Sequence, residues 1–148
     1  MIRNKNNSNS QPVDTDTTSI SLFSGAMGLD IGLMNAGIHI KVTQDFDKTC
    51  FETMLANGHK GVLGDIRNIS SAELLSYAGI KTGDVFLVCG GPPCQPFSTA
   101  GKRLGINDPR GGLFRDFLRM VNEIRPRFFV MENVKGIMSS LLRDELGT

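Results

Sequence analysis

Apolar and polar positions along this chain follow a repeating order of short strands and helices. Five short segments, some continuously apolar and some alternating between apolar and polar residues, have the length and the flanking turn residues of strands. Helical spacing fills the gaps between them and stops at glycine or proline. Strands that alternate with helices predict an α/β fold with a parallel sheet. The predicted strands are 19–23, 38–44, 62–63, 85–89 and 128–131, and the predicted helices are 29–36, 47–56, 70–78, 113–124 and 135–146.

Composition narrows the class of protein without identifying it. The 148 residues are 40% hydrophobic and 21% charged, which suits one globular domain with a real core. No apolar run is long enough to span a membrane, and the amino terminus lacks a signal-peptide stretch. Three cysteines do not suggest a disulfide framework, so a cytoplasmic location is expected. Residues 1–18 are polar and predict a disordered tail, which leaves residues 19–148 as the domain.

Positive charge is concentrated in one part of the sequence, although the net charge is only +1. Between Lys102 and Arg127, seven cations and three anions give a local charge of +4. A solvated loop and helix face would explain this segment. Contact with nucleic-acid phosphates is the alternative, and the sequence leaves both open.

A cysteine follows the most apolar of the predicted strands. The strand 85–89 runs into two glycines and two prolines, and proline can neither donate a ladder hydrogen bond nor continue a helix. Cys94 is therefore expected on a stiff loop at the carboxyl edge of the sheet, where open α/β folds bind ligands. Its loop-forming neighbours disfavour simple packing, whereas Cys50 and Cys89 fit packing well. Zinc binding is disfavoured because no histidine or cysteine pair follows at ligand spacing, and no metal site is expected.

A glycine turn joins the first predicted strand to the first predicted helix. Gly25 and Gly28 permit close backbone approach to a ligand, and the helix start offers free N–H groups. Their spacing differs from the dinucleotide fingerprint. Asp45 ends the second strand region 20 residues after Gly25, where an acidic side chain can accept hydrogen bonds from ribose hydroxyls. Phe46 could stack on adenine, and the simpler alternatives are a turn aspartate and a packing phenylalanine.

Three stretches together resemble a known family. Gly90-Gly-Pro-Pro-Cys-Gln-Pro-Phe-Ser98 is similar to the nucleophile motif of the cytosine-C5 DNA methyltransferases. Phe23–Asp30 and Glu132–Val134 are similar to two further motifs of that family, in the expected order and spacing. The resemblance covers about residues 19–139 and only the first part of a complete member. Met27 stands where many members have glycine.

The resemblance implies a fold, a cofactor and a set of site residues. The fold would be an incomplete Rossmann-like S-adenosylmethionine-dependent methyltransferase sheet with flanking helices, and the cofactor S-adenosylmethionine. The substrate would be DNA, in a restriction-modification system. The implied catalytic residues are Cys94 and Glu132. The implied cofactor-binding residues are Phe23, Gly25, Gly28, Asp45, Phe46, Asp65, Ile66, Gly91 and Leu113. The implied substrate-binding residues are Pro93, Gln95, Ser98, Asn133 and Val134.

The chemistry that the family implies requires a thiolate and an acid. Cys94 would add to C6 of a flipped-out cytosine, so that C5 becomes able to accept the methyl group. Glu132 would hold or protonate N3 of the ring. The family's target-recognition domain and later motifs are not found in the sequence, so a second polypeptide is a candidate partner. An RNA-directed relative, a fragment that only binds cofactor or partner, and a redox oxidoreductase are the alternative functions.

Overall fold

A parallel sheet of five strands forms the centre of the fold. The computed structural model describes residues 17–93 and 112–133. Within them the strand order is β3-β2-β1-β4-β5, and every neighbouring pair is parallel. The predicted α/β class is therefore confirmed. The strands are β1 (Thr18–Leu22), β2 (His39–Asp45), β3 (Gly61–Leu63), β4 (Leu87–Gly90) and β5 (Phe128–Met131). The helices are α1 (Gly28–Asn35), α2 (Lys48–Ala56), α3 (Ser71–Ala78) and α4 (Gly112–Ile124), and a 3-10 turn covers Ile66–Asn68.

Side-chain caps explain where two of the helices begin. The Asp47 carboxylate accepts hydrogen bonds from the backbone N–H groups of Thr49 and Cys50, at 2.7 and 3.1 Å, and so starts α2. The Ser70 hydroxyl oxygen accepts a bond of 3.1 Å from the N–H of Glu73 at the start of α3. These bonds satisfy donors that a helix start leaves without partners. The sequence had predicted both starts to within one residue.

The core has two layers, one on each face of the sheet. The larger layer packs β1 and β4 against α3 and α4, with Phe117, Met120 and Ile124 fully buried. The smaller layer packs Leu87 and Cys89 of β4 against the apolar side of α1. Because β1 and β4 are covered on both faces, their carboxyl ends are held firmly at one edge.

The prediction that 128–131 is a buried strand is wrong for the described part of the chain. Phe128, Phe129 and Val130 are 59%, 53% and 42% exposed. β5 lies at one end of the described sheet and pairs only with β4 there. An apolar run shows that a strand needs cover, but it cannot show which segment supplies the cover.

Several sequence predictions fall at or beyond the limits of the described residues. β1 begins at Thr18, one residue before the predicted start of the domain. The remainder of the predicted polar tail, the basic loop after Cys94 and the predicted helix 135–146 lie outside the described residues. No helix in the described ranges is both long enough and apolar enough to cross a membrane.

Candidate active site

Two adjoining cavities open where the strands of the sheet end. The first, which we call the turn cavity, measures about 260 Å³ and surrounds the glycine turn. The second, the ring cavity, measures about 160 Å³ and lies beyond β2. Phe23 lines both, so the two cavities meet at this side chain. The turn cavity is lined by Ser21, Phe23, Ser24, Gly25, Gly28, Leu29, Asp30, Gly90, Gly91 and Glu132. The ring cavity is lined by Phe23, Gln44, Phe46, Asp65, Ile66, Arg67 and Leu113.

Asp45 fixes the shape of the glycine turn. One carboxylate oxygen accepts a 2.7 Å hydrogen bond from the Gly25 N–H, and the other accepts a 2.9 Å bond from the Asp47 N–H. The Asp45 side chain is buried behind the turn and lines neither cavity. Hydrogen bonds to charged acceptors are among the stronger ones in proteins. The structure therefore gives Asp45 a role in holding the turn, which the sequence had not predicted.

Met27 adopts a backbone conformation that favours glycine. Its φ is +65°, in the left-handed region, and its side chain is almost fully buried. Glycine adopts that region without steric cost. Glycine would therefore suit this position better than methionine does. The Met27 N–H still donates a 2.8 Å bond to the Ser24 carbonyl, so the turn closes normally.

An exposed aromatic ring borders the ring cavity. Phe46 is 66% exposed, and the buried Ile66 also contributes to the lining. Asp65 caps the 3-10 turn and forms an ion pair with Arg67. Hydrogen bonds from Arg67 hold the pKa of the Asp65 carboxyl below its ordinary value. The cavity thus combines two apolar surfaces with a carboxylate that stays ionised.

β4 and β5 bring the proline loop next to the strand-end glutamate. The Glu132 N–H donates a 3.0 Å bond to the Gly90 carbonyl. A Cβ placed on Gly91 would lie 2.9 Å from a Glu132 carboxylate oxygen, so the glutamate packs directly against the loop backbone. The Asn133 amide donates a 3.3 Å bond to the Pro92 carbonyl. Glu132 is therefore held at the edge where the cysteine loop begins.

The structure places many of the predicted site residues and leaves others outside its described range. The turn cavity gathers Phe23, Gly25, Gly28, Gly91 and Glu132, and the ring cavity gathers Phe23, Phe46, Asp65, Ile66 and Leu113. Pro93 is exposed at the end of the described loop. The predicted site residues outside the described ranges are Cys94, Gln95, Ser98 and Val134.

Five polar lining residues were absent from the sequence predictions. Ser21 and Gln44 are buried in strands β1 and β2, and Asp30 is buried in the mostly apolar helix α1. A polar residue in a buried run is the one signal that could have identified them. The five are Ser21, Ser24, Asp30, Gln44 and Arg67.

The two described cysteines are poor nucleophiles. Burial raises the pKa of the Cys89 thiol to about 11. Desolvation, followed by the negative charges of Asp45 and Asp47, raises the pKa of the Cys50 thiol. A reactive cysteine needs a lowered pKa, because the thiolate is the attacking species. Neither side chain therefore competes with Cys94 for a nucleophilic role.

Charge around the site is partly neutralised within the fold. Arg119 pairs with Asp116 and Glu123 and also donates a 2.8 Å bond to the Ile66 carbonyl. This cation of the basic segment therefore supports the 3-10 turn beside the ring cavity. In the described ranges no group of three His, Cys, Asp or Glu side chains could hold a metal ion.

Comparisons of the sequence with known proteins point to one family. The sequence model described as C-5 cytosine-specific DNA methylase matches residues 17–147. The Type II methyltransferase M.AquIA of Picosynechococcus sp. is 48% identical over 122 residues, which are 81% of this chain and 49% of that protein. The Type II methyltransferase M.FnuDI of Fusobacterium nucleatum is 50% identical over 122 residues, 81% of this chain and 33% of that protein.

A solved structure shares the fold. The S. pombe Dnmt2 methyltransferase superposes with a TM-score of 0.63 and 24% identity, over 88% of this chain and 38% of that one. The chain spans between about a third and about half of the length of the curated relatives described above. The family match covers nearly the whole sequence, and the chain therefore belongs to the C-5 cytosine-specific DNA methylase family.

Proposed function

We propose that this chain is the cofactor-binding and nucleophile-bearing part of a Type II restriction-modification methyltransferase. It would transfer a methyl group from S-adenosylmethionine to C5 of cytosine in DNA. The family makes S-adenosylmethionine the cofactor of this fold. The observation that carries the proposal is the meeting of two cavities at Phe23, with Glu132 at the edge of the turn cavity.

The ring cavity suits the adenine of the cofactor. A flat ring between Phe46 and Ile66 would bury apolar surface on both sides. Asp65 stays ionised and could accept a hydrogen bond from the adenine amino group, alongside its pairing with Arg67. Leu113 would close the cavity from the start of α4. These contacts support the role proposed for the four residues.

The turn cavity suits the ribose and methionine portions. The Gly25 and Gly28 positions have open space around them, so a ligand could approach the backbone closely. Each oxygen of Asp45 accepts one backbone bond, and a carboxylate oxygen can accept two. Asp45 lies behind the cavity lining, and this spare capacity would let it bond ribose hydroxyls of a ligand that reaches past the turn, without releasing the turn. Gly91 would face the cofactor from the opposite wall.

Catalysis would depend on Cys94 and Glu132. The Cys94 thiolate would form a bond to C6 of the base, and the displaced electron pair would make C5 nucleophilic. Glu132 would donate a proton to N3 as that charge develops. The bound cofactor supplies the methyl group at C5. Transfer of the C5 proton to a base from solvent would then expel the Cys94 thiolate, and return of the N3 proton to Glu132 would restore the aromatic ring.

The residues around the nucleophile would position it and the base. The bond from Asn133 to the Pro92 carbonyl ties the glutamate strand to the cysteine loop. Pro93, Gln95 and Ser98 would orient the cytidine and its backbone, and Val134 would support the loop. These five roles follow the family resemblance.

Asp45 allows a direct test of cofactor binding. Asp45→Ala is expected to weaken the affinity for S-adenosylhomocysteine by about 10- to 100-fold, the range for a lost hydrogen bond to a charged group. Isothermal titration calorimetry would measure the dissociation constant of S-adenosylhomocysteine for each variant. Asp47→Ala is the matched control, because the Asp47 carboxylate accepts its hydrogen bonds from the start of α2 and not from the glycine turn. Equal affinities for the two variants would remove Asp45 from the binding site.

Covalent trapping tests the function itself. The 148-residue chain would be mixed with S-adenosylmethionine and an oligonucleotide that contains 5-fluorocytosine, whose fluorine blocks the final elimination. A mass adduct on Cys94 with DNA supports the proposal, whereas an adduct with RNA alone supports the RNA-directed alternative. A folded chain that fails to bind S-adenosylhomocysteine would contradict the proposal. Binding without an adduct would mean that another part of the enzyme must complete the site.

The exposed strand β5 supports the proposal of a partner segment. Three successive apolar residues are exposed there, and one edge of the strand has no described neighbour. An open apolar edge is a template for another strand. We propose that the rest of the family's domain, in a longer chain or a second polypeptide, adds a strand at this edge.

A charged residue on β5 tests this proposal. The unaccompanied chain is expected to self-associate through the exposed strand, and Val130→Lys is expected to reduce that association. Analytical ultracentrifugation would compare the two proteins. S-adenosylhomocysteine binding should be unchanged, because Val130 lines neither cavity. Identical sedimentation of both proteins as monomers would show that the β5 edge does not mediate self-association.

A further inference from the structure

A fully buried carboxylate lines the turn cavity without a partner. Asp30 lies in the first turn of α1 and is 0% exposed. Neither of its side-chain oxygens accepts a hydrogen bond from any residue in the described ranges. Buried charged groups are normally paired, because removing an ion from water is costly. This arrangement indicates that the partner of Asp30 comes from outside the described residues, and the cavity that Asp30 lines points to a ligand.

The surroundings of Asp30 provide little compensation. Burial raises the pKa of the Asp30 carboxyl, and the nearby Ser21 hydroxyl, the backbone N–H of Asp30 and the charge of His59 offset that rise only in part. The Ser21 oxygen itself accepts a 2.9 Å bond from Ser24. Cys89 on the neighbouring strand is an uncharged thiol at neutral pH, since its pKa is raised to about 11. The group is thus left largely unneutralised by the fold.

The turn cavity as a whole has a deficit of positive charge. Two of its lining residues are carboxylates, Asp30 and Glu132, and none is Lys, Arg or His. In a poorly hydrated site, such a pair attracts a cation more strongly than it would in water. A ligand that fills this cavity should therefore carry its positive charge toward Asp30.

We propose that Asp30 binds the α-ammonium group of the amino-acid portion of the cofactor. This inference rests on the proposed function and adds a positioning residue to it. An ammonium group has three N–H donors and can satisfy both carboxylate oxygens. The sulfonium of S-adenosylmethionine has a positive charge but no N–H donor, so it matches the two empty acceptors less well.

Three ligands and one isosteric variant test the assignment. S-adenosylmethionine has both cations, S-adenosylhomocysteine has only the ammonium, and 5′-methylthioadenosine has neither. Asp30→Asn is expected to lower the affinity for S-adenosylmethionine and for S-adenosylhomocysteine by about 10- to 100-fold, the effect of losing a charge-assisted bond. The affinity for 5′-methylthioadenosine is expected to stay within about twofold of the wild-type value. Calorimetry on the full 148-residue chain would give the three affinities. A general folding defect would instead weaken all three equally.

A stability measurement separates this role from a structural one. Asp30→Asn removes a buried, unpaired charge, so the melting temperature of the ligand-free chain at pH 8 is expected to rise by about 4 °C. A carboxylate that supported the fold would produce a fall. Asp47→Asn, a change in an exposed helix cap, is the control for a general charge effect.

Each contrary result has a distinct meaning. Unchanged affinities in Asp30→Asn overturn the inference and leave the proposed function intact. Weaker binding of S-adenosylmethionine alone overturns the ammonium assignment in favour of the sulfonium. A lower melting temperature together with equal weakening of all three ligands overturns the inference in favour of a structural role. A folded wild-type chain that binds none of the three overturns both the inference and the proposed function.

Discussion

Cys94→Ser is expected to abolish methyl transfer and to leave cofactor binding unchanged. A serine hydroxyl remains protonated at neutral pH and cannot add to C6 of the base as a thiolate does. Removing an enzyme nucleophile costs on the order of 10⁴-fold or more in turnover. The proposed cofactor contacts come from other residues, so the affinity for S-adenosylhomocysteine should stay within about twofold of wild type, below the loss expected for one hydrogen bond.

The control for this variant is a serine at another cysteine. Cys50→Ser changes a half-buried thiol in α2 that lines neither cavity. Transfer of labelled methyl groups from S-adenosylmethionine to a DNA oligonucleotide would be measured for both variants. The assay would use the form of the enzyme that methylates DNA, either the chain alone or the chain with the rest of its domain. Turnover by Cys94→Ser above a tenth of the wild-type value would exclude the covalent mechanism.

The sequence predicted the sheet well because its strands have strong local signals. An apolar run bounded by glycine and proline placed β4, and a short strand pattern before a glycine turn placed β1, each to within two residues. The same signal misjudged the burial of β5, since burial depends on which distant segment covers a strand. Local pattern therefore locates an element, and tertiary contacts decide its environment.

The sequence likewise predicts some residues of the candidate site but not the contacts between them. Motif order and strand ends are enough to predict that Gly25, Gly91 and Glu132 lie at one edge of the sheet. The bond from Asp45 to the Gly25 N–H joins residues 20 positions apart, and no spacing rule specifies that geometry. Asp30 was missed because a single acidic residue in an apolar helix normally indicates a solvated face. Its burial is visible only when α1 is packed onto the sheet.

Gly90→Ala is expected to destabilise the fold strongly, because its Cβ would have the closest contact of any described glycine position. An alanine Cβ at this position would lie 2.1 Å from the Leu22 carbonyl oxygen and 3.0 Å from its carbon. Those atoms belong to the backbone of β1, which is paired with β4 at this point and cannot move aside cheaply. Overpacking in a core costs about 1–3 kcal/mol and sometimes more, and we expect a loss above about 3 kcal/mol.

The consequence of such a loss follows from the small margin of protein stability. The free energy of unfolding of a domain is only about 5–15 kcal/mol. Gly90→Ala should therefore markedly lower the urea concentration at the unfolding midpoint, or prevent folding. Gly32→Ala is the matched control, because its Cβ would meet no atom within 4 Å on helix α1. It should stabilise the chain by about 0.5–1 kcal/mol. If Gly90→Ala unfolds at the wild-type midpoint, the close approach of β4 to Leu22 is wrong, and with it the position of the cysteine loop relative to the glycine turn.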